Sequence, residues 1–170
     1  DIGRWQSELV LLADDQVADP GLVAALNVAR IPHLQVRIRD GMGIVGPLVL
    51  PGVTSCLRCA DFTRCAIDPE WPHLAAQLLG RVGHATPATV LATSALALAQ
   101  VETLIAGGPV APRSLGATIE LDLSAGTMET RRWPRHRLCE CRQLVPTPPA
   151  ALPGSAAAPI DVADPADSPP

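Results

Sequence analysis

The chain has 170 residues, 48% apolar and 18% charged, with a formal net charge of −4. That length suits one globular domain, the apolar content excludes wholesale disorder, and the weak acidic balance argues against a nucleic-acid coat. All 13 basic residues are Arg, so lysine Schiff-base and phosphate-loop lysine chemistry are ruled out, and a chain with three Trp, one Phe and no Tyr must build its core from Leu, Val, Ile and Ala.

Glu8–Ala13 is a short apolar run ending at Asp14-Asp15, the pattern of a buried parallel strand entering a loop. Carboxylates at such a strand end lie where open α/β sheets bind ligands, and neighbouring residues point to opposite faces, so one of the two can look into a given crevice. A solvated loop that caps the next helix is the simpler reading of the pair. Asp19-Pro20 then supplies an N-cap followed by Pro at the first helical position, with Leu22, Val23, Leu26 and Ala29 at helical spacing until Pro32. Leu34, Val36 and Ile38 alternate with Gln35, Arg37 and Arg39 as in a half-exposed strand, Asp40–Gly43 turns the chain, and Ile44–Leu50 forms an apolar strand interrupted by Pro47.

Trp71–Leu79 reads as a short helix. Thr86-Pro87 opens a long one that runs to Ala106 and stops at Gly107-Gly108-Pro109. This helix is apolar nearly all round, which predicts burial between layers. The 20 residues Val82–Val101 carry no Asp, Glu or Arg, but three Thr, Ser94, His84 and Gln100 make a membrane span unconvincing. Leu115–Leu123 and Thr127–Trp133 form two strands joined at Ser124-Ala125-Gly126. The last 26 residues, Val145–Pro170, hold eight Pro, seven Ala, three Asp and no Arg. They read as a disordered tail after a domain of residues 1–144. Without the tail, 13 Arg face 14 acids, a net charge of −1.

Four of the five Cys fall in two pairs, Cys56/Cys59 and Cys139/Cys141, separated by 79 residues. Four thiolates meet the tetrahedral demand of structural zinc, so these four are the candidate metal ligands. The bland alternative is two pairs of buried free thiols. A redox Cys-x-x-Cys would need a strand-to-helix context that is not legible upstream of Cys56. Arg58, Arg64, Arg131, Arg132, Arg135, Arg137 and Arg142 flank the pairs and would offset the charge of four thiolates. Cys65 is left over as a small buried residue, and His33, His73, His84 and His136 are not needed by a site that four Cys already fill. The five Arg between Arg131 and Arg142 would suit a nucleic-acid ribbon, but a near-neutral domain poor in aromatics argues against one, so no nucleic-acid partner is expected.

The succession of an acid-ended strand, a helix, a strand pair with Gly41 and Gly46, Cys-x-x-Cys, a long helix containing Gln100-Val101-Glu102, and a late cysteine pair resembles the C-terminal half of the ThiF/MoeB superfamily. These are the ubiquitin-activating-enzyme-like adenylyltransferases, and the likeness covers residues 7–144. The stretch Gly46-Pro47-Leu48-Val49-Leu50-Pro51-Gly52-Val53-Thr54-Ser55-Cys56-Leu57-Arg58-Cys59, followed by Asp68-Pro69-Glu70-Trp71-Pro72, resembles the branch that partners a YcaO-type cyclodehydratase in thiazole/oxazole peptide modification. The resemblance implies a Rossmann-like α/β domain with a mixed sheet and structural zinc on Cys56, Cys59, Cys139 and Cys141. It further implies a precursor peptide or small carrier protein as partner and a homodimer, while the cysteine usage points to a reducing, cytoplasmic compartment and no membrane partner is expected. It assigns Asp15 to the family's metal–nucleotide aspartate, while Leu12 and Pro20 stand where that motif has an acid and an Arg. The Gly-rich phosphate loop would lie before Asp1, so ATP-Mg²⁺ is expected only with an upstream segment. The implied roles are a peptide-binding scaffold or, as the alternative, part of an adenylyltransferase acting on a C-terminal carboxylate.

Overall fold

The computed structural model describes residues 8–144, so the Pro/Ala-rich segment 145–170 lies outside the described residues. The elements run β1 (Val10–Ala13), α1 (Pro20–Val28), β2 (His33–Arg39), β3 (Met42–Val49), α2 (Leu57–Ile67), α3 (Trp71–Leu78), α4 (Pro87–Ala106), β4 (Ala117–Asp122) and β5 (Thr127–Arg132), closed by a 3₁₀ turn at Glu140–Gln143. The five strands form one mixed sheet in sequence order; β1 and β2 are parallel and every later pair is antiparallel.

Local chemistry sets the helix starts. The Asp19 carboxylate accepts the Leu22 N–H at 2.7 Å ahead of Pro20, and the Thr86 hydroxyl accepts the Thr89 N–H at 3.2 Å ahead of Pro87. Gly107, at φ 58°, ends α4 in the left-handed region that glycine enters without a Cβ penalty. Pro47 fits a central strand because pairing is irregular there: the β2–β3 register shifts between Leu34 and Val36, and β4 pairs only with Gly43–Val45. Gly46, at φ 107°, lies against β4 so closely that a Cβ would sit 2.2 Å from the Ala117 carbonyl oxygen.

Alternation along the strands sends side chains to two layers. On one face Leu34, Val45 and Leu48 pack with Ala97 of α4; on the other Val49 packs with Val23 of α1, Leu57 of α2 and the four paired cysteines. Each fully buried aliphatic side chain of this kind contributes about 1.5–3 kcal/mol. Gln100 of α4 ties the layers at the far end, its Oε1 accepting the Ser114 N–H at 3.0 Å, while the Ser114 carbonyl accepts from Leu48 N at 2.8 Å.

Four expectations change. The first strand is parallel but lies at the sheet edge, and Leu11 is half-exposed rather than buried. β2 is not half-exposed: Gln35 and Arg37 are buried, because α2 and α3 cover the face to which they point. α2 itself was not legible between the cysteine pair and Trp71, so a strand-to-helix context does precede Cys59. Finally, α4 is not enclosed. It buries a stripe of Thr89, Thr93, Ala97 and Gln100 and exposes Val90, Leu91, Leu98 and Ile105, Leu91 at 71%. A helix apolar all round gives no signal for which face will pack, and close approach chose the small residues. α4 is also long and apolar enough to cross a membrane; here it lies across β2 and β3.

Two tests follow from this packing. A Cβ on Gly43 would meet the Thr93 hydroxyl oxygen at 1.9 Å, so Gly43→Ala is expected to cost about 1–3 kcal/mol of unfolding free energy; chemical denaturation should show this, with partial recovery on adding Thr93→Ala. His33 is wholly buried, its Nδ1–H donating to the Ile31 carbonyl at 3.0 Å and its Nε2 unpartnered. Burial lowers its pKa below 6.5 despite that hydrogen bond. The unfolded chain therefore binds more protons, and stability should fall as pH drops below about 6.5. His33→Leu should flatten that part of the stability–pH curve.

Candidate metal centre

Each cysteine pair is presented by the start of a helical turn. The Leu50–Thr54 turn leads out of β3, held by Leu50 N–H donating to the Thr54 hydroxyl at 3.0 Å and by Val53 and Thr54 N–H donating to the Leu50 carbonyl. It delivers Cys56 to the N-cap of α2 and Cys59 to the first turn. On the other side Cys139 is the N-cap of the 3₁₀ turn and Cys141 lies within it. Arg135 fastens that turn by donating to the Cys141 carbonyl at 3.0 Å.

Folding brings the pairs together across the sequence gap. Sγ separations are 3.8 Å for Cys56–Cys59, 3.5 Å for Cys56–Cys139 and 3.3 Å for Cys59–Cys141, and all four sulfurs lie within 4.8 Å of one another. An ideal zinc tetrahedron with arms of about 2.3 Å has edges of about 3.8 Å, so the donor set fits the ion in number, type and spacing. None of the four is in a disulfide, and all are buried. A fourfold cluster also displaces the redox reading, since each thiol of Cys56/Cys59 faces a second thiol from the far pair.

The thiols do not ionise together unaided. Burial pushes the Cys139 pKa up to about 12. Hydrogen bonds with Cys141 and Cys59, reinforced by burial, push Cys56 upward, while hydrogen bonds from Cys141 and then Cys56 pull Cys59 down against its own burial. One thiolate is stabilised by its neighbours' S–H groups and further ionisation is opposed, so a divalent cation is what would let all four act as ligands.

The flanking arginines are spent differently from the expected neutralisation of thiolates. Arg64 is held by the Asp61 carboxylate at 3.0 Å and lies between the Trp71 and Trp133 rings at 4.9 and 4.6 Å. Arg58 pairs with Glu140 at 3.7 Å in an exposed position and covers the Phe62 ring, and Arg131 pairs with Glu120 at 3.7 Å. His136 stacks on Phe62 at 4.9 Å, His73 pairs with Glu70 at 2.9 Å and His33 is buried in β2; none of the histidines joins the cluster. Cys65 stays outside it and lines a neighbouring cavity.

Asp15 lies just beyond β1, bridged through its backbone to Val82. With Asp19 it lines a separate hollow of about 200 Å³ at the C-terminal end of that strand, together with Leu12 and Gln35. Asp14 is exposed at φ 74° and does not line it.

No protein-family model matches the chain, and no curated protein matches it. Solved structures do. E. coli MccB with MccA superposes with a TM-score of 0.60 at 18% identity over 82% of this chain and 40% of that one; MccB with ATP gives 0.60 at 18% over 81% and 40%. A heterocyclase in complex with substrate and cofactor gives 0.62 at 20% identity over 79% of this chain and 20% of that one. The α/β fold is therefore the ThiF/MoeB-like fold, and the chain spans about two-fifths of the length of MccB.

Replacing Cys56, Cys59, Cys139 or Cys141 with Ser should each lower bound zinc well below one equivalent by atomic emission and depress the melting temperature. Cys65→Ser should retain about one equivalent.

Proposed function

We propose that this chain is a zinc-stapled scaffold domain of ThiF/MoeB type that binds a precursor peptide for a YcaO-type cyclodehydratase, in thiazole/oxazole modification of ribosomal peptides. The observation that carries this reading is the hollow at the end of β1. Among the described residues its charged members are Asp15 and Asp19, and no cationic side chain lines it. A carboxylate can hold the Mg²⁺ of a nucleotide, but phosphate also needs positive charge or converging N–H groups, and the described residues of this hollow supply the carboxylates without cationic side chains. Leu12 packs into the cysteine-side core and Pro20 opens α1, so the two motif positions that depart from the adenylating pattern do structural work instead.

The fold likeness to MccB with MccA and to a heterocyclase holding its substrate supports a role in peptide modification or adenylation. Zinc would be held by the four cysteines as a closed structural site with no position left for substrate. A reducing cytoplasm would keep those thiols free for it. Domain limits of 1–144 followed by a linker-like 145–170 belong to the same reading, as does a homodimer.

The second reading is one part of an adenylyltransferase. It is favoured by the position of Asp15 at a strand end in a chain similar to MccB crystallised with ATP. On this reading a segment upstream supplies the Gly-rich loop and an Arg.

Calorimetric titration separates the two. The scaffold reading expects saturable binding of a thiazole/oxazole precursor peptide, unchanged in Asp15→Asn, with no heat from ATP-Mg²⁺. Micromolar ATP binding with pyrophosphate exchange that is lost in Asp15→Asn would overturn it in favour of adenylation.

A further inference from the structure

A cavity of about 740 Å³ lies between α1, α2, α3 and the β2 face, beside the cysteine cluster and distinct from the Asp15 hollow. Its wall is largely aliphatic and aromatic, with Val17, Pro20, Ala24, Phe62 and Leu79 among the apolar contributors. Three arginines line it. Arg58 and Arg64 have carboxylate partners in Glu140 and Asp61. Arg37 forms no ion pair among the described residues: it is 6% exposed, and its one hydrogen bond there is from Nη1 to the Gln35 Oε1. Burying a guanidinium without a carboxylate in contact is costly; Arg64 and Arg39, of its own sign, act on Arg37 ahead of the Asp61 and Glu120 carboxylates, and Asp61 is itself taken up by Arg64. Across the wall Asn27 donates Nδ2–H to the Val23 carbonyl at 2.8 Å, while its Oδ1 accepts no hydrogen bond among the described residues.

We propose that this cavity is the anchor for an acidic residue of the bound peptide: the side-chain carboxylate meets the Arg37 guanidinium, and flanking aliphatic side chains fill the apolar wall. This rests on the peptide-binding reading and adds its chemical specificity. Guanidinium and carboxylate match as planar, multiply hydrogen-bonded partners, and a charge-assisted pair in a dry site far outweighs its neutral analogue. Gln35, which lines the cavity beside it, accepts from the guanidinium and so fixes its orientation. The unpaired Asn27 carbonyl suits an amide N–H, which a peptide brings and a simple apolar acid does not. A largely apolar wall in which Arg58–Glu140 and Arg64–Asp61 are paired with each other and Arg37 is left to meet a ligand has the composition of a specific ligand site.

The test is titration of the intact zinc-loaded chain with two blocked peptides, acetyl-Leu-Glu-Leu-Leu-amide and its Gln counterpart, followed by the fluorescence of Trp71, which lines the cavity. The Glu peptide should bind at least about tenfold more tightly, consistent with hydrogen bonds to charged groups. Arg37→Gln should erase the preference and Arg37→Lys should restore part of it. The Glu–Gln comparison on the unmodified chain needs no variant, and Ala76→Trp on exposed α3 should block both peptides if Arg37→Gln fails to fold. Equal affinity for the two peptides, or a preference that survives Arg37→Gln, overturns the proposal. So does binding of hexanoate that depends on Arg37 with no binding of either peptide. A precursor peptide that binds unmodified and Arg37→Gln chains alike would remove this anchor while leaving the scaffold reading in place.

Discussion

Four thiols from opposite ends of the domain meet in a space a few ångströms across, and most of the surrounding architecture depends on that meeting. Closing 79 intervening residues costs loop entropy that grows slowly with length, and a metal held by the four thiols would offset it with binding energy on the order of 10 kcal/mol. The cluster joins the start of α2 to the turn that follows β5. Those elements would otherwise share few contacts, since β5 is an exposed edge strand. Because α2 is held there, α2 and α3 cover β2, and a sheet face with the residue pattern of a solvent face becomes the floor of a cavity.

The all-arginine basic set acquires a physical meaning in that setting. A planar guanidinium stacks on aromatic faces as well as pairing with carboxylates, and Arg64 does both between Trp71 and Trp133. In a chain so poor in aromatics, one cation thus ties α2, α3 and the end of β5. Trp133 is fixed in turn by donating Nε1–H to the Thr118 hydroxyl at 3.3 Å. Arg39 and Arg131 converge on Glu120 more openly, where such pairs contribute little. The arginines near the cysteines are therefore structural clasps more than counter-ions.

A shared fold leaves activity open, because function resides in sites placed on folds. Two sites on this one point in different directions. Among the described residues the end of β1 keeps an aspartate with no cation lining the hollow, whereas the adjoining cavity holds a buried arginine that forms no ion pair.

The sequence by itself determined the order of the strands and of every helix but α2, the caps at Asp19 and Thr86, and the identity of the four clustered cysteines. Each rests on local chemistry: side-chain period, capping hydroxyls and carboxylates, and ligand spacing. It also carried the resemblance that the superpositions bear out at the level of fold. Only the tertiary structure decided which faces are covered. α2 has its apolar residues on a short stretch between cysteines and prolines, so its helix was not legible, and without it Arg37 and Gln35 had to read as solvent-facing. α4 is apolar around its whole circumference, so period alone named no packing face; the close approach at Gly43 selected Thr89, Thr93 and Ala97. Alternation along a strand assigns residues to two sides, but whether a side meets water or another layer is set by segments distant in sequence.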